Sequence, residues 1–338
     1  MTDQPVPRPR NEPGVLPAVS VVICAYTTAR WEQFQAAVQS VLSQVPPPDE
    51  VVVVIDHCPE LELLAREAMA PQGVHVVANT DVRGLSGARN TGTARATGDV
   101  IAFLDDDAVA EPGWLAGHAR HYSDPTVLGV GGPVTPAWDN QAPLWFPTEF
   151  GWVVGCSYRG QPTTATPIRN PIGANMSFRR PVLTSVGGFA RSLGRVGTSP
   201  VGCEETELSI RAATAYPQGR IMHEPGAAVR HHVPEARATW TYFRRRCWAE
   251  GRSKAQVRRL TSAQKALAAE RVYVRRVLPE GVRRNLAEAR RTRSWGLVLR
   301  ASAICAGLAI TVAGFLLGQA IQLRPSRPQP RHLLRAKR

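Results

Sequence analysis

An apolar run that ends in three consecutive carboxylates constrains the fold of this chain more than any other feature. Residues 100–104 read Val-Ile-Ala-Phe-Leu and are followed directly by Asp105, Asp106 and Asp107. A continuous apolar run of this length is typical of a strand buried on both faces of a parallel sheet. Open α/β sheets bind ligands where their strands end, which would place the three acids at a binding edge. A solvated acidic turn is the alternative, because Asp is common in turns.

The sequence before this run has the alternating pattern of an α/β fold. Alternating strands and helices imply right-handed crossovers and a mostly parallel sheet. Asp56, at the end of the second strand, is therefore expected on the same edge as Asp105–Asp107. Two acidic strand ends on one edge indicate a site, and their oxygen atoms suit Mg²⁺ or Mn²⁺. The predicted strands cover residues 19–26, 50–56 and 74–77, and the predicted helices cover about 31–44 and 61–69.

Arg89 lies in a glycine-rich segment, Gly-Leu-Ser-Gly-Ala-Arg-Asn-Thr-Gly at residues 84–92. Glycines permit close approach of the backbone to a ligand, and an arginine is suited to binding a phosphate. The glycines lack the spacing of a P-loop or of a dinucleotide-binding segment. A tight loop that opens a short helix is an equally good interpretation.

Seven segments of the chain together resemble the family 2 glycosyltransferases, which have the GT-A fold. In sequence order they are VSVVICAYTTAR, EVVVVIDH, GLSGARNTG, FLDDDA, GANMSFRR, GGF and CEETELSIR, within roughly residues 19–233. Residues 152–156 and 230–232 are also similar to members known as glucosyl-dolichyl-phosphate glucuronosyltransferases. The resemblance implies an α/β nucleotide-diphospho-sugar transferase fold, a mostly parallel sheet flanked by helices, and a donor expected to be UDP-linked. No Gln-x-x-Arg-Trp element follows His232, so a single transfer is expected rather than polymerisation.

The resemblance also implies roles for individual residues at the strand ends. Asp105 and Asp107 would form the D-x-D element, with Asp107 as a direct ligand of Mg²⁺ or Mn²⁺ and Asp105 near it. His231 would complete the metal shell, although a surface-loop histidine is the alternative. The metal would neutralise the donor diphosphate and stabilise the leaving group. The residues expected at the donor are Tyr26, Asp56, Arg89, Asp105, Asp106, Gly173 and Asn175.

Glu205 stands where the family usually has an aspartate general base, and both Glu204 and Glu205 are candidates for this role. A carboxylate is chemically suitable because the acceptor hydroxyl must lose a proton as it attacks the anomeric carbon. Acids in a first helical turn are also favoured by the helix dipole, which is sufficient to explain Glu207. The residues proposed for the acceptor are Trp152, Arg245 and Arg246.

The charge of the chain is concentrated in its last third. Residues 1–243 carry 18 Lys and Arg against 23 Asp and Glu, a net charge of −5, whereas residues 244–338 carry 23 against 4, a net charge of +19. Such asymmetry suggests an anionic partner, which we expect to be an anionic membrane surface. A nucleic-acid-binding protein is the rival that the overall charge suggests, but the positive charge avoids the half that bears the motifs.

Residues 301–323 contain no charged side chain and are long enough to cross a bilayer, although a re-entrant or surface-lying helix is an alternative. Gly307, Gly314 and Gly318 would provide small faces suited to packing in lipid. The sequence thus predicts a flexible leader (1–17), a catalytic domain (18–235), a basic helical extension (236–295), a membrane helix (296–323) and a basic tail (324–338).

These observations predict a metal-dependent, inverting glycosyltransferase with a nucleoside-diphosphate-sugar donor. Its acceptor is expected to be lipid-linked, for an envelope glycan or glycolipid. We expect the protein at the cytoplasmic face of the cell membrane, since nucleotide sugars are made there and no signal sequence precedes Val19. A catalytically inactive sugar-nucleotide-binding scaffold is the second alternative, which the carboxylates at Asp105, Asp107 and Glu205 disfavour.

Overall fold

The apolar run at residues 100–104 forms the strand that joins the two halves of a large sheet. The computed structural model of the chain describes residues 17–197, 202–261 and 268–322. Residues 1–16 of the predicted leader and the predicted tail at 324–338 lie outside the described residues.

The strands of the described residues form one sheet of eight strands and a second sheet of three. In chain order they are β1 (Val19–Ala25), β2 (Glu50–Ile55), β3 (His75–Ala78), β4 (Val100–Asp105), β5 (Ala108–Ala110), β6 (Val127–Gly131), β7 (Val134–Trp138), β8 (Thr166–Ile168), β9 (Asn175–Arg179), β10 (Arg220–His223) and β11 (Val229–Val233).

The larger sheet has the order β3-β2-β1-β4-β9-β6-β10-β8, and the smaller sheet has the order β5-β11-β7. Strands β3, β2, β1 and β4 are parallel, and β9 is antiparallel to both β4 and β6. The predicted mostly parallel sheet flanked by helices is confirmed.

The helices follow the predicted alternation in the first half of the chain. The helix predicted for about 31–44 ends at Leu42, before the prolines at 46–48. The α-helices of the described residues are α1 (Trp31–Leu42), α2 (Pro59–Met69), α3 (Leu85–Arg95), α4 (Trp114–Ala119), α5 (Arg180–Ser185), α6 (Glu204–Ala215), α7 (Trp240–Leu260), α8 (Ala268–Val272), α9 (Leu278–Thr292) and α10 (Trp295–Gln322).

The two faces of the large sheet pack into two different apolar clusters. Val21 and Ile23 of β1 belong to one cluster, whereas Val22 belongs to the other. Successive side chains of a strand point to opposite faces, so a strand covered on both faces must be apolar at every position. The continuous apolar runs in the sequence have this origin.

The C-terminal helices pack on the side of the sheet that carries Val21 and Ile23, since Phe243, Leu278 and Ile304 belong to the same apolar cluster. Helix α10 is long and apolar enough to cross a membrane by length and composition. A Cβ atom on Gly307 would lie 2.6 Å from the Phe150 ring, and one on Gly318 would lie 2.8 Å from Cβ of Ala255. These glycines therefore provide small faces that pack against other parts of the protein, and that this packing takes place in lipid stays a prediction.

Candidate active site

The register of the parallel strands brings the predicted acids to one edge of the sheet. Cys24 of β1 pairs with Asp105 of β4, and Ala25 of β1 pairs with Ile55, the residue before Asp56. The carboxylate of Asp56 accepts a hydrogen bond from the Asn79 side chain at 2.7 Å and another from the backbone N–H of Gly84 at 2.9 Å. Asp56 thereby fixes the turn that leads into α3.

Asp105, Asp107 and His231 form a cluster with the chemistry of a divalent metal site. Their nearest ligand atoms, one from each side chain, all lie within 4.8 Å of one another. Strand β11 supplies His231 next to β5, which starts directly after Asp107. Two carboxylates and one imidazole suit a cation such as Mn²⁺ or Mg²⁺, for which oxygen ligands are preferred. The residues of the cluster therefore fit the divalent metal that the sequence predicts.

Two arginines that the sequence interpretation did not identify also contact these acids. Arg30 lies 2.6 Å from Oδ2 of Asp107 and 3.0 Å from Oδ2 of Asp106, and Arg237 lies 3.3 Å from Oδ2 of Asp107. The guanidinium of Arg30 also lies 4.8 Å from the ring centroid of Tyr26. Three adjacent carboxylates require positive charge nearby, so the sequence indicated that cationic partners exist. It did not identify Arg237, which is distant in the sequence and reaches the site only in the folded chain.

The electrostatic environment moves the pKa values of the two buried acids of this run, Asp106 and Asp107, in opposite directions. Burial raises the pKa of Asp106 to about 8, despite the attraction of Arg30. Burial acts in the same direction on Asp107, but the charges of His231, Arg237 and Arg30 outweigh it and hold its pKa well below the usual range. Asp107 is therefore the ionised member of the pair at neutral pH, as a metal ligand must be.

Arg89 connects the metal cluster to Glu204, the neighbour of Glu205. Its guanidinium is almost fully buried and donates to Asp105 at 3.0 Å, to Glu204 at 2.8 Å and to the carbonyl of Gly173 at 2.9 Å. A Cβ atom on Gly173 would lie 3.2 Å from the Arg89 side chain, so the absence of a side chain there permits this approach. Arg89 therefore orients two carboxylates on opposite sides of one guanidinium.

Glu204 and Glu205 open helix α6, but their environments differ. Both line the central cavity, but Glu204 is buried against Arg89, whereas Glu205 is half-buried. Burial, together with the neighbouring charge of Glu204, raises the pKa of Glu205 to about 8. A carboxylate with a pKa near the operating pH is suited to accept a proton, and this favours Glu205 as the base.

Asn175 is not placed to contact a donor through its side chain. The side chain is fully buried, its oxygen accepts from Trp114 and His118, and its nitrogen donates to the carbonyls of Pro133 and Ala227. Burial lowers the pKa of His118 to about 4, which keeps this ring neutral. The expectation that Asn175 binds the donor is therefore wrong for its side chain, which instead joins β9 to neighbouring elements.

Most of the predicted site residues line one cavity of about 820 Å³. Its lining includes the acids and also an apolar group formed by Tyr273, Val277, Leu308, Val312 and Phe315. The predicted residues that line the cavity are Tyr26, Asp56, Arg89, Asp105, Asp106, Asp107, Trp152, Gly173, Glu204, Glu205, His231 and Arg246.

The residues proposed for the acceptor divide between the cavity and the surface. Trp152 lines the cavity and donates through its ring nitrogen to the Tyr273 hydroxyl at 3.1 Å. Arg246 is buried at the cavity wall, 3.7 Å from Glu250. Arg245 is exposed and is not among the cavity residues, so its contact with the acceptor stays a prediction. Neighbouring positions of a helix point about 100° apart, and the sequence did not show which of the two faces inward.

The cavity also contains an ion-pair group that was not predicted as a site. Lys254 lies 3.2 Å from Glu250 and 2.7 Å from Glu270, and Arg169 lies 2.6 Å from Glu270. These contacts join α7 to the segment that follows residue 268, and all four side chains line the cavity. The sequence offered no signal for them beyond the charges themselves.

Residues 20–187 match the family described as Glycosyl transferase family 2. A glucosyl-dolichyl phosphate glucuronosyltransferase of Haloferax volcanii is 37% identical over 238 residues, which cover 70% of this chain and 76% of that protein. A mannosyltransferase from Pyrobaculum calidifontis, solved with GDP-Man and Mn²⁺, has a TM-score of 0.54 at 21% identity over 93% of this chain and 82% of that one. GalNAc-T7, solved with UDP, GalNAc and Mn²⁺, has a TM-score of 0.50 at 16% identity over 77% of this chain and 54% of that one. At such identities the likeness to the solved structures shows the fold.

Proposed function

The chain belongs to the family 2 glycosyltransferases, and from this membership we propose that it transfers one sugar from a UDP-linked donor to a lipid-linked acceptor with inversion at the anomeric carbon. The enzyme class, the nucleotide-sugar donor and the Asp-rich metal site follow from the family and the cluster. The base of the donor, the acceptor and the stereochemistry are the proposal.

One observation supports the proposal above others: a single cavity joins the acidic cluster to an apolar wall. Asp105, Asp107, His231 and Glu205 line it, and so do the apolar Val312 and Phe315 of α10. A molecule with a polar, phosphorylated head and a hydrocarbon part would match both kinds of lining. A lipid-linked sugar has this composition, and the Haloferax volcanii relative is named for a dolichyl phosphate substrate.

In the proposed reaction Glu205 accepts the proton of the acceptor hydroxyl as the oxygen attacks the anomeric carbon. Arg89 holds Glu204 and Asp105 in place, while Arg30 and Arg237 add positive charge beside the donor diphosphate. Asp105, Asp107 and His231 would hold Mn²⁺ or Mg²⁺, which would neutralise the diphosphate and stabilise the leaving nucleoside diphosphate. A one-step displacement with a single base inverts the anomeric configuration.

We also propose that the catalytic domain acts at the cytoplasmic face of the membrane, because nucleotide sugars are made in the cytoplasm. The basic charge of residues 244–338 supports contact with anionic lipids on that side.

The direct test of the acceptor class compares two acceptors with the same sugar. One carries a polyprenyl phosphate and the other a short water-soluble aglycone, both with UDP-sugars and Mn²⁺ in detergent. We expect transfer to the lipid-linked acceptor with a clearly lower KM, and NMR of the product should show the inverted anomer. Equal KM values for the two acceptors would contradict the lipid-linked assignment, and a retained anomer would contradict the one-step mechanism.

A further inference from the structure

Helix α10 is packed side by side with α7 over roughly three turns. A Cβ atom on Gly314 would collide with the carbonyl of Trp248, and one on Gly251 would collide with the carbonyl of Thr311. Further along, the Gln319 side chain donates to the carbonyl of Ala255 at 3.4 Å. The backbones therefore approach closely, and the contacts advance in the same direction along both helices.

Helix α7 carries charges that a membrane interior does not accommodate. The segment that accompanies α10 has Arg244, Arg245 and Arg252 on its exposed surface, and Arg258 and Arg259 follow within the next two turns. If α10 crossed a bilayer with these contacts intact, α7 would bring several exposed arginines to the depth of the lipid chains. Charged side chains at that depth are costly unless they reach water or a partner.

The exposed surface of α10 is a stripe of uncharged residues at helical spacing. Arg252 of α7 lies next to α10, because its Cα is 3.4 Å from the position of a Cβ on Gly318, the buried neighbour of Leu317 in this stripe. Together with Arg245, Trp248 and Arg259 it forms a ridge on α7 at intervals of three, four and seven residues, and all four side chains are exposed. The stripe itself consists of Trp295, Leu299, Ser302, Cys305, Ala309, Val312, Ala313, Leu316, Leu317, Ala320 and Ile321.

We propose that α10 lies in the plane of an anionic membrane and does not cross it. The stripe enters the boundary between headgroups and acyl chains, and the ridge of Arg245, Trp248, Arg252 and Arg259 contacts the headgroups. Amphipathic helices bind membranes in this way, with an apolar face in the boundary and basic residues on anionic lipid. Tryptophan is enriched at the same level of the membrane.

This placement brings the cavity to the lipid. Val312 belongs both to the exposed stripe and to the cavity wall, with 47% of its surface exposed. A membrane-resident ligand would therefore enter the cavity from the bilayer without passing through water.

Topology distinguishes the two arrangements directly. The full chain is produced with a small protease-sensitive tag at each end, and intact and permeabilised spheroplasts are treated with protease. An in-plane α10 leaves both tags on the same side, so they become sensitive together on permeabilisation. A C-terminal tag that is cleaved in intact spheroplasts while the N-terminal tag is protected would overturn the proposal.

A second experiment tests the ridge as the lipid contact. Purified full chain is sedimented with phosphatidylcholine vesicles with and without phosphatidylglycerol. We expect the triple variant Arg245→Glu/Arg252→Glu/Arg259→Glu to lose most of its preference for the anionic vesicles. The charge-matched variant Arg66→Glu/Arg95→Glu/Arg220→Glu, on exposed arginines of the catalytic domain, should retain it. Equal loss in both variants would contradict the ridge.

A second copy of the chain is the other molecule that could cover the stripe, and light scattering of the purified protein tests for it. If Leu316→Glu converts a dimer to a monomer in light scattering but leaves vesicle binding unchanged, the stripe is a protein interface and the proposal is wrong. Reduced vesicle binding by a variant whose molecular mass is unchanged supports it.

Discussion

Asp107 and Glu205 line one cavity, but their surroundings move their pKa values in opposite directions. The charges of His231, Arg237 and Arg30 hold the pKa of Asp107 well below its usual range against the effect of burial. Burial and the charge of Glu204 raise the pKa of Glu205 to about 8. Two carboxylates whose pKa values are driven apart are suited to different tasks, one as an ionised ligand and the other as a proton acceptor.

Replacing Asp107 should remove the metal-dependent part of the activity. We expect Asp107→Ala to lower nucleoside-diphosphate release by roughly 10²–10³-fold, as is typical when an electrostatic stabiliser of developing charge is lost. Turnover is measured with Mn²⁺ at saturating donor, and circular dichroism checks the fold. The control is Asp139→Ala, an exposed aspartate that pairs with His232. Full activity of the Asp107 variant would remove this residue from the metal site.

Replacing the base should affect transfer more than donor binding. Glu205→Gln retains size and polarity but cannot accept a proton, so we expect transfer to fall by roughly 10²–10⁴-fold with donor affinity nearly unchanged. Glu204→Gln weakens the contact with Arg89 and should mainly raise the KM for the donor. The opposite result, an inactive Glu204 variant beside a near-normal Glu205 variant, would assign the base to Glu204.

The raised pKa of Glu205 predicts a pH dependence with a definite sign. A general base is active only when deprotonated, so the kcat/KM for the acceptor should rise about tenfold per pH unit below the pKa and level off above it. The midpoint is expected near the pKa of about 8. Rates from pH 6 to 10 in wild type and Glu205→Gln measure it. A rising limb that persists unchanged in the variant would show that another group titrates.

At the scale of secondary structure, the glycines of α10 determine how closely it approaches α7. Alanine favours a helix over glycine by about 1 kcal/mol, yet a Cβ at position 314 would collide with the backbone of Trp248. We therefore expect Gly314→Ala to destabilise the protein by about 1–3 kcal/mol, the usual range for overpacking. Thermal unfolding in detergent measures the change. The neighbouring Ala313→Leu, on the exposed face, should unfold close to wild type. A more stable Gly314 variant would mean that the helices do not pack this closely.

The sequence predicted the first strands and their common edge because strand periodicity and alternation are local signals. Asp56 and Asp105 were placed together on this basis, and the register of β1, β2 and β4 bears this out. The orientation of a single side chain, by contrast, is not a local signal in the sequence. Asn175 lies at a motif position, but Trp114 and His118 use its oxygen, and neither contact is visible in the order of residues.

Contacts between distant segments were the least predictable part of the site. Arg30 and Arg237 meet at Asp107 although 207 positions separate them. The partner of the glycines in α10 was equally hidden, since an apolar helix with small residues has the same composition in lipid and against protein. Gly314 faces Trp248 because α7 offers a complementary groove, which composition does not encode.

At the scale of the whole molecule, the C-terminal helices complete the catalytic domain. Phe150 and Phe243 are almost fully buried, and a Cβ on Gly307 of α10 would contact both of their rings. The cavity likewise takes part of its wall from Leu308 and Phe315 of α10. Helix α10 is therefore structural support for the site as well as a candidate membrane contact.

Truncation should show this dependence. We expect a chain that ends at Arg293 to expose the surface around Phe243 and to aggregate or unfold at a lower temperature than the full chain. A chain that ends at Gln322 retains α10 and serves as the control. Size-exclusion chromatography and thermal unfolding of both proteins compare them. A soluble Arg293 truncation that unfolds at the wild-type temperature would show that the catalytic domain is independent of α10.

The most direct test of the central claim, metal-dependent transfer from a nucleotide sugar at this cavity, is a donor panel. The purified full chain is incubated with UDP-, GDP- and dTDP-sugars, Mn²⁺ and a polyprenyl-phosphate-linked acceptor, and release of nucleoside diphosphate is measured. We predict release from a UDP-sugar that EDTA abolishes and added Mn²⁺ restores. Release that persists undiminished in EDTA, or no release from any donor in the panel, would contradict the account.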